Sequence, residues 1–414
     1  MPMRCLALEC VWGVPMSVES VGLVVFGLCA LLVLYHHAFY PLLLSRLAAR
    51  CRQVELPDIP QRGWTSQAHD QVLPSIEIIM PAYNESACIA DKLRNLAQLD
   101  YPTDLWRVVI VLDGCNDATR AQADRTLLEP ECAGLPVIIR DFQDNGGKVM
   151  RINQAIEAAQ SSLVLLSDVS ALLPVDCLLA LAAHFNDPRV GAVSLGYRLL
   201  SPGSEGEQAY WDYQRKIKMQ ESRLGCVQGA HGSGWALRRA LFQPLPADTI
   251  NDDFIMPMQI AAQGYRVVYE SRLSALELEC MSVVGEQQRR RRIAAGNTQQ
   301  IARLLRLLSP QQGAKAFMFL SGKCLRVFMP YCLLGMLLAN GLFLGLGSWA
   351  VALFLAQLLG YGAFIAMNLL QHIPRLRLLR VINYLLLGHW ANLNGSVRYL
   401  TGRQRGVWQR VKEA

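Results

Sequence analysis

The stretch "WRVVIVLDG", residues 106–114, decides the fold. Apolar, mostly β-branched residues run without a break from Val108 to Leu112, Asp113 ends the run, and a glycine follows. Such a run predicts a strand that is buried on both faces, as in a parallel sheet covered by helices. Asp113 then stands where that strand ends, at the sheet edge where ligands bind in such folds. The residue is therefore a candidate ligand-binding group.

The neighbouring segments continue this pattern. Residues 75–86, "SIEIIMPAYNES", and residues 162–170, "SLVLLSDVS", predict further strands, whereas residues 148–160, "KVMRINQAIEAAQ", and residues 175–185, "VDCLLALAAHF", predict helices. Alternating strands and helices are typical of a parallel, doubly wound α/β sheet with helices on both faces.

The composition points to a membrane component. Of the 414 residues, 52% are hydrophobic and only 18% are charged, which is unusually apolar for a soluble enzyme. The net charge of +7 comes from basic residues beside apolar segments, and no aromatic-basic interleaving accompanies them, so nucleic acid is not the expected partner. The 12 cysteines contain no C-x-x-C pair, which indicates reduced thiols and no structural zinc.

The apolar segments divide the chain into an α/β domain and flanking membrane helices. Because arginines follow the apolar segments, we expect a multi-pass protein of the cell (inner) membrane with its α/β domain on the cytoplasmic face. The expected parts are an N-terminal tail at 1–17, a membrane span at 18–44, a linker at 45–74, the α/β domain at 75–305, an interface helix at 306–326, spans at 327–347 and 348–371, and a basic partial or interfacial helix with a cytosolic tail at 372–414.

Several acidic residues fall where the predicted strands or loops end. They are Glu85, Asp113, Asp168 and the pair Asp252 and Asp253. Any one of them alone is more simply a turn or helix-capping residue. Carboxylates gathered at one sheet edge repel one another unless a positive group lies between them, so the set together predicts a binding site.

A positive group is available in "NGGK", residues 145–148. This motif places Lys148 and free backbone N–H groups at a helix start, where a phosphate can bind, although such a motif also caps helices for structural reasons alone. A nucleotide site then follows, with Asp113 at the base, Lys148 and Asp168 at the diphosphate, and Asp253 as activator of a nucleophile.

Five motifs in order, "MPAYNES" (80–86), "LDGCND" (112–117), "NGGK" (145–148), "SDVSA" (167–171) and "NDDF" (251–254), precede "RRRRIAAGN" (289–297). In this order and spacing the chain resembles the family 2 glycosyltransferases, in particular the membrane-bound, polysaccharide-synthase-like branch with the cellulose, hyaluronan and chitin synthases. The resemblance implies a GT-A fold with a doubly wound mixed sheet, flanking transmembrane helices and a nucleotide-sugar donor, usually UDP-linked.

The resemblance also assigns roles to single residues. Asp253 is implied as the general base of an inverting transfer, and Asp168 as the residue that faces a divalent metal, Mg²⁺ or Mn²⁺. The implied nucleotide-sugar residues are Pro81, Tyr83, Glu85, Asp113, Lys148 and Asp168, the implied acceptor-side residues are Gly229, Ala230 and Gly232, and the implied catalytic residues are Asp252, Asp253, Arg289 and Arg292.

Two departures from the family pattern bear on function. The usual Asp-x-Asp metal motif reads Asp168-Val169-Ser170 here, which leaves one carboxylate. The Gln-x-x-Arg-Trp motif of processive synthases aligns either with Arg289, Arg292 and Ile293, or with Gln288, Arg291 and Arg292. Neither register has an aromatic residue in the tryptophan place, which favours single transfer over polymerisation. In the first register Arg289 and Arg292 face the diphosphate, and Arg290 or Arg291 faces the membrane lipids.

We therefore expect an enzyme that transfers a sugar to a lipid-linked or glycan acceptor in exopolysaccharide or cell-surface glycan biosynthesis. A processive synthase of the same family remains the first alternative. The second alternative is a non-catalytic, nucleotide-sugar-binding partner of other glycan-assembly proteins. Ser170 and Ile293 favour this alternative.

Overall fold

The computed structural model describes residues 17–51, 56–59, 72–200, 205–278, 283–370 and 377–403. Most of the predicted N-terminal tail, much of the predicted linker and the end of the basic tail, residues 404–414, lie outside the described residues. The described chain forms one mixed sheet with helices on both faces, and several long apolar helices beside it.

The sheet has eight strands in the order β3-β2-β1-β4-β7-β6-β8-β5. Strands β1 to β4 are parallel to one another, whereas β7 runs antiparallel to β4 and β6. The strands are β1 Ile76–Ala82, β2 Trp106–Asp113, β3 Val137–Phe142, β4 Leu163–Leu166, β5 Ala171–Leu172, β6 Val190–Leu199, β7 Trp235–Arg238 and β8 Arg266–Glu277. The sheet is therefore mixed, as the family resemblance implied.

Alternate residues of the central strands point into two separate apolar cores. Ile79 and Val109 pack on one face with Ile152 of helix α5, whereas Ile78 and Val108 pack on the other. This alternation is the two-residue period of a strand. Both faces are buried, which explains why β2 reads as an unbroken apolar run in the sequence.

Seven helices complete the α/β domain. They are α3 Ile89–Leu96, α4 Thr119–Thr126, α5 Lys148–Ala158, α6 Cys177–Phe185, α7 Glu205–Arg223, α8 Asp252–Ala262 and α9 Val283–Arg303. Short 3₁₀ turns at Arg239–Leu241, Leu305–Leu308 and Pro310–Gln312 connect later elements. Helices α5 and α8 both begin beside the sheet edge that carries the predicted site, because Lys148 and Asp252 are their first residues.

Three described helical stretches are long and apolar enough to cross a membrane: Val18–Arg50, Ala314–Leu342 and Ser348–Leu369. The first contains α1 Val18–Leu34 and α2 Tyr40–Arg50, joined by a π-helical segment at Tyr35–Phe39. The second contains α10 Ala314–Met318, a π-helical segment at Phe319–Cys324 and α11 Leu325–Leu342. The third is α12, reached through a 3₁₀ turn at Leu344–Leu346, and α13 Arg377–Leu400 follows.

These helices contact one another and the α/β domain. Helix α1 lies against α11, where a side chain on Gly22 would meet the backbone oxygen of Ala339 at 2.8 Å. Helix α13 lies against α9, and the two helices are so close that a Cβ on Gly395 would come within 2.5 Å of Ala294. Close approach at two glycines therefore joins the apolar helices to one another and to the α/β domain.

Candidate active site

Two loops at the ends of the parallel strands are hydrogen-bonded to each other. Asn84, after β1, has a φ of 57° and accepts a hydrogen bond through Oδ1 from the N–H of Asn116, 2.9 Å away after β2. The N–H of Ser86 donates to Asp117 at 3.2 Å. Although burial raises it, hydrogen bonds from Thr119 and Ser86 hold the pKa of Asp117 below its ordinary value. The loop after β1 carries the predicted nucleotide residues Tyr83 and Glu85, and Pro81 lies within β1 just before it.

Asp113 is fully buried at the end of β2. Its carboxylate accepts hydrogen bonds from the backbone N–H groups of Gly146 and Gly147, each at 2.8 Å, and from Nε of Arg151 at 2.7 Å. The φ of Gly147 is 91°, a conformation that favours glycine. Asp113 therefore fixes the loop that leads into α5. A direct contact with a nucleotide base would require it to exchange one of these bonds.

Lys148 begins α5 and connects two of the predicted carboxylates. Its Nζ donates to Oδ1 of Asp168 at 2.9 Å and lies 3.8 Å from Oδ2 of Asp252. Burial raises the pKa of Asp168, but the nearby Lys148 ammonium outweighs it and holds that pKa below its ordinary value. Although burial lowers it, Asp168 and Asp252 together raise the pKa of Lys148. Lys148 and Asp168 are thus both charged and are held together by attraction.

Asp253 lies beside this group in a different electrostatic state. Burial raises its pKa, the neighbouring carboxylate of Asp252 raises it further, and Lys148 only partly offsets both, so that the pKa is about 6. A carboxyl group with this pKa is ionised at neutral pH and is a stronger base than an ordinary aspartate. It has the protonation behaviour that a general base requires.

Gly232 separates the two carboxylates. A Cβ at this position would lie 2.7 Å from Oδ2 of Asp168 and 3.7 Å from Oδ2 of Asp253. The same segment is fixed by backbone bonds, since the N–H of Ala230 donates to the oxygen of Asp253 at 2.8 Å and the N–H of Asp168 donates to Gly232 at 3.2 Å. A glycine is needed here because any side chain would enter the space between the acidic groups.

Helix α9 is held against the loop before α8. The side chain of Asn251 donates to the backbone oxygen of Ile293 at 3.2 Å, and a Cβ on Gly296 would come within 2.4 Å of Asn251. One turn further on, Oε1 of Gln299 accepts from the N–H of Ile250 at 2.9 Å. The A-A-G sequence after the four arginines therefore allows a close contact that places the arginines beside the carboxylates.

The four arginines point in different directions, as consecutive helical residues must. Arg289 and Arg292 line the same cavity as Asp168, and both lower its pKa. Arg290 also lines the cavity and lies over the ring of Tyr384 on α13 at 4.3 Å. Gln288 and Arg291 do not line it. All three residues of the register with Arg289, Arg292 and Ile293 thus line the cavity.

A single cavity of about 380 Å³ joins these groups. The predicted residues that line it are Lys148, Asp168, Ala230, Gly232, Asp252, Asp253, Arg289 and Arg292. Pro81, Tyr83, Glu85, Asp113 and Gly229 do not line it. Gly229 instead contributes its backbone oxygen, which accepts a hydrogen bond from Lys218 at 2.7 Å.

The sequence motifs did not predict one wall of this cavity. The ring of His231 stacks on Tyr197 with 5.3 Å between centroids and lies 5.8 Å from the ring of Trp211 on α7. Burial and the nearby Lys218 hold the pKa of His231 well below its ordinary value, so the ring is neutral. No sequence pattern predicts this wall, because an aromatic residue on one helix and a histidine in a distant loop come together only in the folded chain.

The same cavity extends to the apolar helices. Its further lining comes from the first two candidate spans and from α13, including His36, His37, Tyr40, Lys323, Arg326 and His389. The carboxylates at the sheet edge and the polar residues of the apolar helices therefore face one continuous space. This connection was not predicted from the sequence.

Comparisons with known proteins agree with this geometry. Residues 77–245 match the family described as Glycosyl transferase family 2, and residues 163–371, about half of the chain, match the family described as Glycosyl transferase family group 2. A mannosyltransferase from Pyrobaculum calidifontis, solved in complex with GDP-Man and Mn²⁺, superimposes with a TM-score of 0.69 at 23% identity, over 94% of this chain and 100% of that chain.

Two groups of sequence relatives are similar over shorter stretches. The beta-monoglucosyldiacylglycerol synthase of Trichormus variabilis is 28% identical over 195 residues, which are 45% of this chain and 41% of the relative. An N-acetylglucosaminyltransferase of Bradyrhizobium elkanii is 34% identical over 128 residues, 29% of this chain and 65% of the relative. The chain thus spans less than half the length of the first relative. It belongs to glycosyltransferase family 2, as its motifs predicted, and has the GT-A fold.

Proposed function

We propose that this chain is a membrane-anchored, inverting glycosyltransferase that transfers one sugar from a UDP-sugar to a hydroxyl group of a lipid-linked or glycan acceptor. The observation that carries the proposal is the contrast between two neighbouring carboxylates: Asp168 is ionised and paired with Lys148, whereas Asp253 has a pKa of about 6. An ionised group beside a cation suits a diphosphate site, and a group with a raised pKa suits proton transfer.

Asp253 acts as the general base in this proposal. It accepts the proton of the acceptor hydroxyl while the hydroxyl oxygen forms a bond to the anomeric carbon of the donor sugar. The bond between that carbon and the diphosphate oxygen breaks on the opposite side, so the configuration inverts in a single displacement. Asp252 supports the base by raising its pKa.

The cationic groups stabilise the departing diphosphate. Lys148 lies at the start of α5, where backbone N–H groups and the helix dipole also favour a phosphate. Arg289 and Arg292 approach from α9 across the cavity. A guanidinium group can bind phosphate oxygens with two parallel hydrogen bonds, which suits it to a charge that grows as the bond breaks.

A divalent metal fits this site only together with the donor. Among the described residues, no group of three or more His, Cys, Asp and Glu side chains could hold a metal ion. Asp168 offers one carboxylate, and Mg²⁺ commonly binds one or two carboxylates with substrate phosphates. Mg²⁺ or Mn²⁺ bound at Asp168 would supply further neutralisation of the diphosphate.

The donor nucleotide is proposed to lie along the loops after β1 and β2. Tyr83 and Glu85 are half-buried in the loop after β1. Pro81 is buried near the end of β1 itself. Asp113 accepts hydrogen bonds from Gly146 and Gly147, so it fixes the loop beside the proposed nucleotide position. The mutual hydrogen bonds of the two loops make this surface rigid before the donor binds.

Single transfer is favoured over polymerisation by the residue beside the arginines. Ile293 lines the cavity where processive synthases have tryptophan, and its side chain is 37% exposed. The three candidate spans support an anchored, multi-pass enzyme with residues 75–305 on the cytoplasmic face of the inner membrane. Its product would enter an exopolysaccharide or cell-surface glycan, as an early lipid-linked unit.

A panel of nucleotide sugars tests this function. The protein in membranes is supplied with radiolabelled UDP-sugars, with and without Mg²⁺ or Mn²⁺, and both UDP release and label in extracted lipid are measured. We expect UDP release from one donor, label in the lipid fraction and a single product size. A ladder of products would favour the processive synthase, and no UDP release with any donor would contradict the proposal and favour a non-catalytic binding protein.

A further inference from the structure

Two π-helical segments from two candidate spans meet at the far end of the cavity. The hydroxyl groups of Tyr35 and Ser321 are 2.8 Å apart, and Nδ1 of His36 is 2.9 Å from the backbone oxygen of Ser321. The segments are Tyr35–Phe39 and Phe319–Cys324. Such bulges occur mostly as single turns and are frequent at functional sites, because they redirect side chains from a helix face.

Two basic side chains lie in and just after the second π-helical segment. Lys323 and Arg326 are three residues apart on one helical face, and both line the cavity. Nζ of Lys323 lies 5.4 Å from the ring centroid of Phe254. Across the described residues, neither side chain forms a hydrogen bond or an ion pair within the chain. Two cations that share a partly enclosed site without a partner favour an anion between them.

One carboxylate, Glu221 of α7, lies near these basic side chains. It accepts a hydrogen bond from the N–H of Gln228 at 2.9 Å. Burial raises its pKa above the ordinary value, and Lys323, Lys218 and Arg326 act in the opposite direction. The ammonium of Lys218 is itself bonded to the backbone oxygen of Gly229 at 2.7 Å. Three basic side chains therefore act on the carboxyl group of Glu221 in this part of the cavity.

Buried polar atoms without partners also face this space. His389 is 9% exposed, its Nε2 is 3.1 Å from Nε2 of His37, and its buried Nδ1 has no hydrogen-bond partner among the described residues. The same holds for buried polar atoms of the cavity-lining residues Tyr40, Trp211, Gln214, Gln228 and Ser233. Buried polar groups normally have partners, so their concentration here indicates a polar ligand.

Resting on the function proposed above, we propose that the acceptor is an anionic lipid that carries both a phosphate group and a free hydroxyl. Lys323 and Arg326 bind the phosphate, and the hydroxyl reaches Asp253 at the other end of the cavity. The phosphate takes no part in bond changes: the hydroxyl oxygen bonds to the anomeric carbon, its proton passes to Asp253, and UDP leaves.

The lipid character follows from the elements that carry the site. Lys323 and Arg326 belong to a candidate span, and the apolar side chains of Leu42 and Leu43, close in sequence to the cavity-lining Tyr40, are exposed. A neutral diacylglycerol would leave both cations without a partner in the closed complex, which is unfavourable for a desolvated charge. A phosphate satisfies both cations, because arginine and lysine bind phosphate through charge-assisted hydrogen bonds.

The test compares acceptors in nanodiscs of phosphatidylcholine that contain phosphatidylglycerol, a prenyl-diphosphate-linked sugar, or diacylglycerol. Transfer of label and acceptor-independent UDP release are measured for the wild type, Arg326→Gln, Lys323→Met and the control Arg46→Gln, which changes an exposed arginine of the first candidate span. We expect transfer to a phosphate-bearing acceptor, and a KM for that acceptor about tenfold to a hundredfold higher in both cavity variants. The Arg46 control should match the wild type in both measurements.

The two phosphate-bearing acceptors distinguish a phospholipid from a lipid-linked sugar. Equal or faster transfer to diacylglycerol, or an unchanged acceptor KM in Arg326→Gln, would overturn the inference while UDP release left the proposed function intact. Partial rescue by Arg326→Lys shows that a loss arises from the missing charge and not from misfolding. Thermal stabilisation by phosphatidylglycerol nanodiscs, lost in Arg326→Gln, supports phosphate binding without any turnover, and equal stabilisation of both proteins would count against it.

Discussion

The two ends of the cavity are built in different ways. At the sheet edge, Lys148, Asp168 and Asp253 follow strands or begin helices, and each is held by backbone contacts of the α/β domain. At the other end, His389 and Arg326 come from long apolar helices that are distant in the sequence. In the proposed function, the first end, with matched charges and a perturbed base, carries the chemistry, and the second end, with unmatched cations, binds the acceptor.

The largest effect is expected from removing the base. Asp253→Asn keeps the shape of the side chain but cannot accept a proton, so transfer should fall by about 10²- to 10⁴-fold. Radiolabel transfer and UDP release measure this, with circular dichroism as a check on folding. The matched control is Asp124→Asn, the same change at a half-exposed carboxylate on α4. Retained transfer in Asp253→Asn would move the chemistry away from this end of the cavity.

The second effect distinguishes the two registers of the arginine run. Arg292 lines the cavity and Arg291 does not, so Arg292→Ala should lower kcat by about 10²-fold or more through loss of diphosphate stabilisation. Arg291→Ala, an equal change one residue away, should leave kcat near that of the wild type. The opposite ranking of the two variants would favour the register with Gln288 and Arg291.

A smaller effect is expected from filling the gap between the carboxylates. Gly232→Ala introduces a Cβ 2.7 Å from Asp168 and should reduce kcat by about tenfold to a hundredfold, because small displacements at reacting groups are costly. Gly134→Ala is the control, since a Cβ there has nothing within 4 Å. Equal kcat values for the two variants would mean that the spacing of Asp168 and Asp253 does not matter for transfer.

The smallest effect concerns the membrane-side end. Tyr40→Phe removes a buried hydroxyl group that has no partner among the described residues, so stability should not fall, while the acceptor KM rises about fivefold. Tyr101→Phe is a useful contrast, because its hydroxyl donates to the backbone oxygen of Pro74 at 2.6 Å. That variant should lose about 1 kcal/mol of stability without a change in acceptor KM. A stability loss in Tyr40→Phe would instead make its hydroxyl part of the fold.

The sequence predicted the first end of the cavity well and the second poorly. Apolar runs ending in Asp113 and near Asp168 marked the sheet edge, because strand ends and helix starts are local patterns. The sequence did not predict that Asp113 is bonded to Gly146, Gly147 and Arg151, since that arrangement depends on contacts 33 or more residues apart. The contact between His231 and Trp211 was not predicted for the same reason.

The pH dependence of kcat/KM tests the central claim most directly, because it reports the ionisation of the base in the free enzyme. The raised pKa of Asp253 means that the group is protonated and inactive below about pH 6 and ionised above it. We predict that kcat/KM for the wild type rises about tenfold per pH unit below about 6 and is level from there to about pH 8. A flat profile from about pH 5 to about pH 8 would contradict the assignment of Asp253 as the general base.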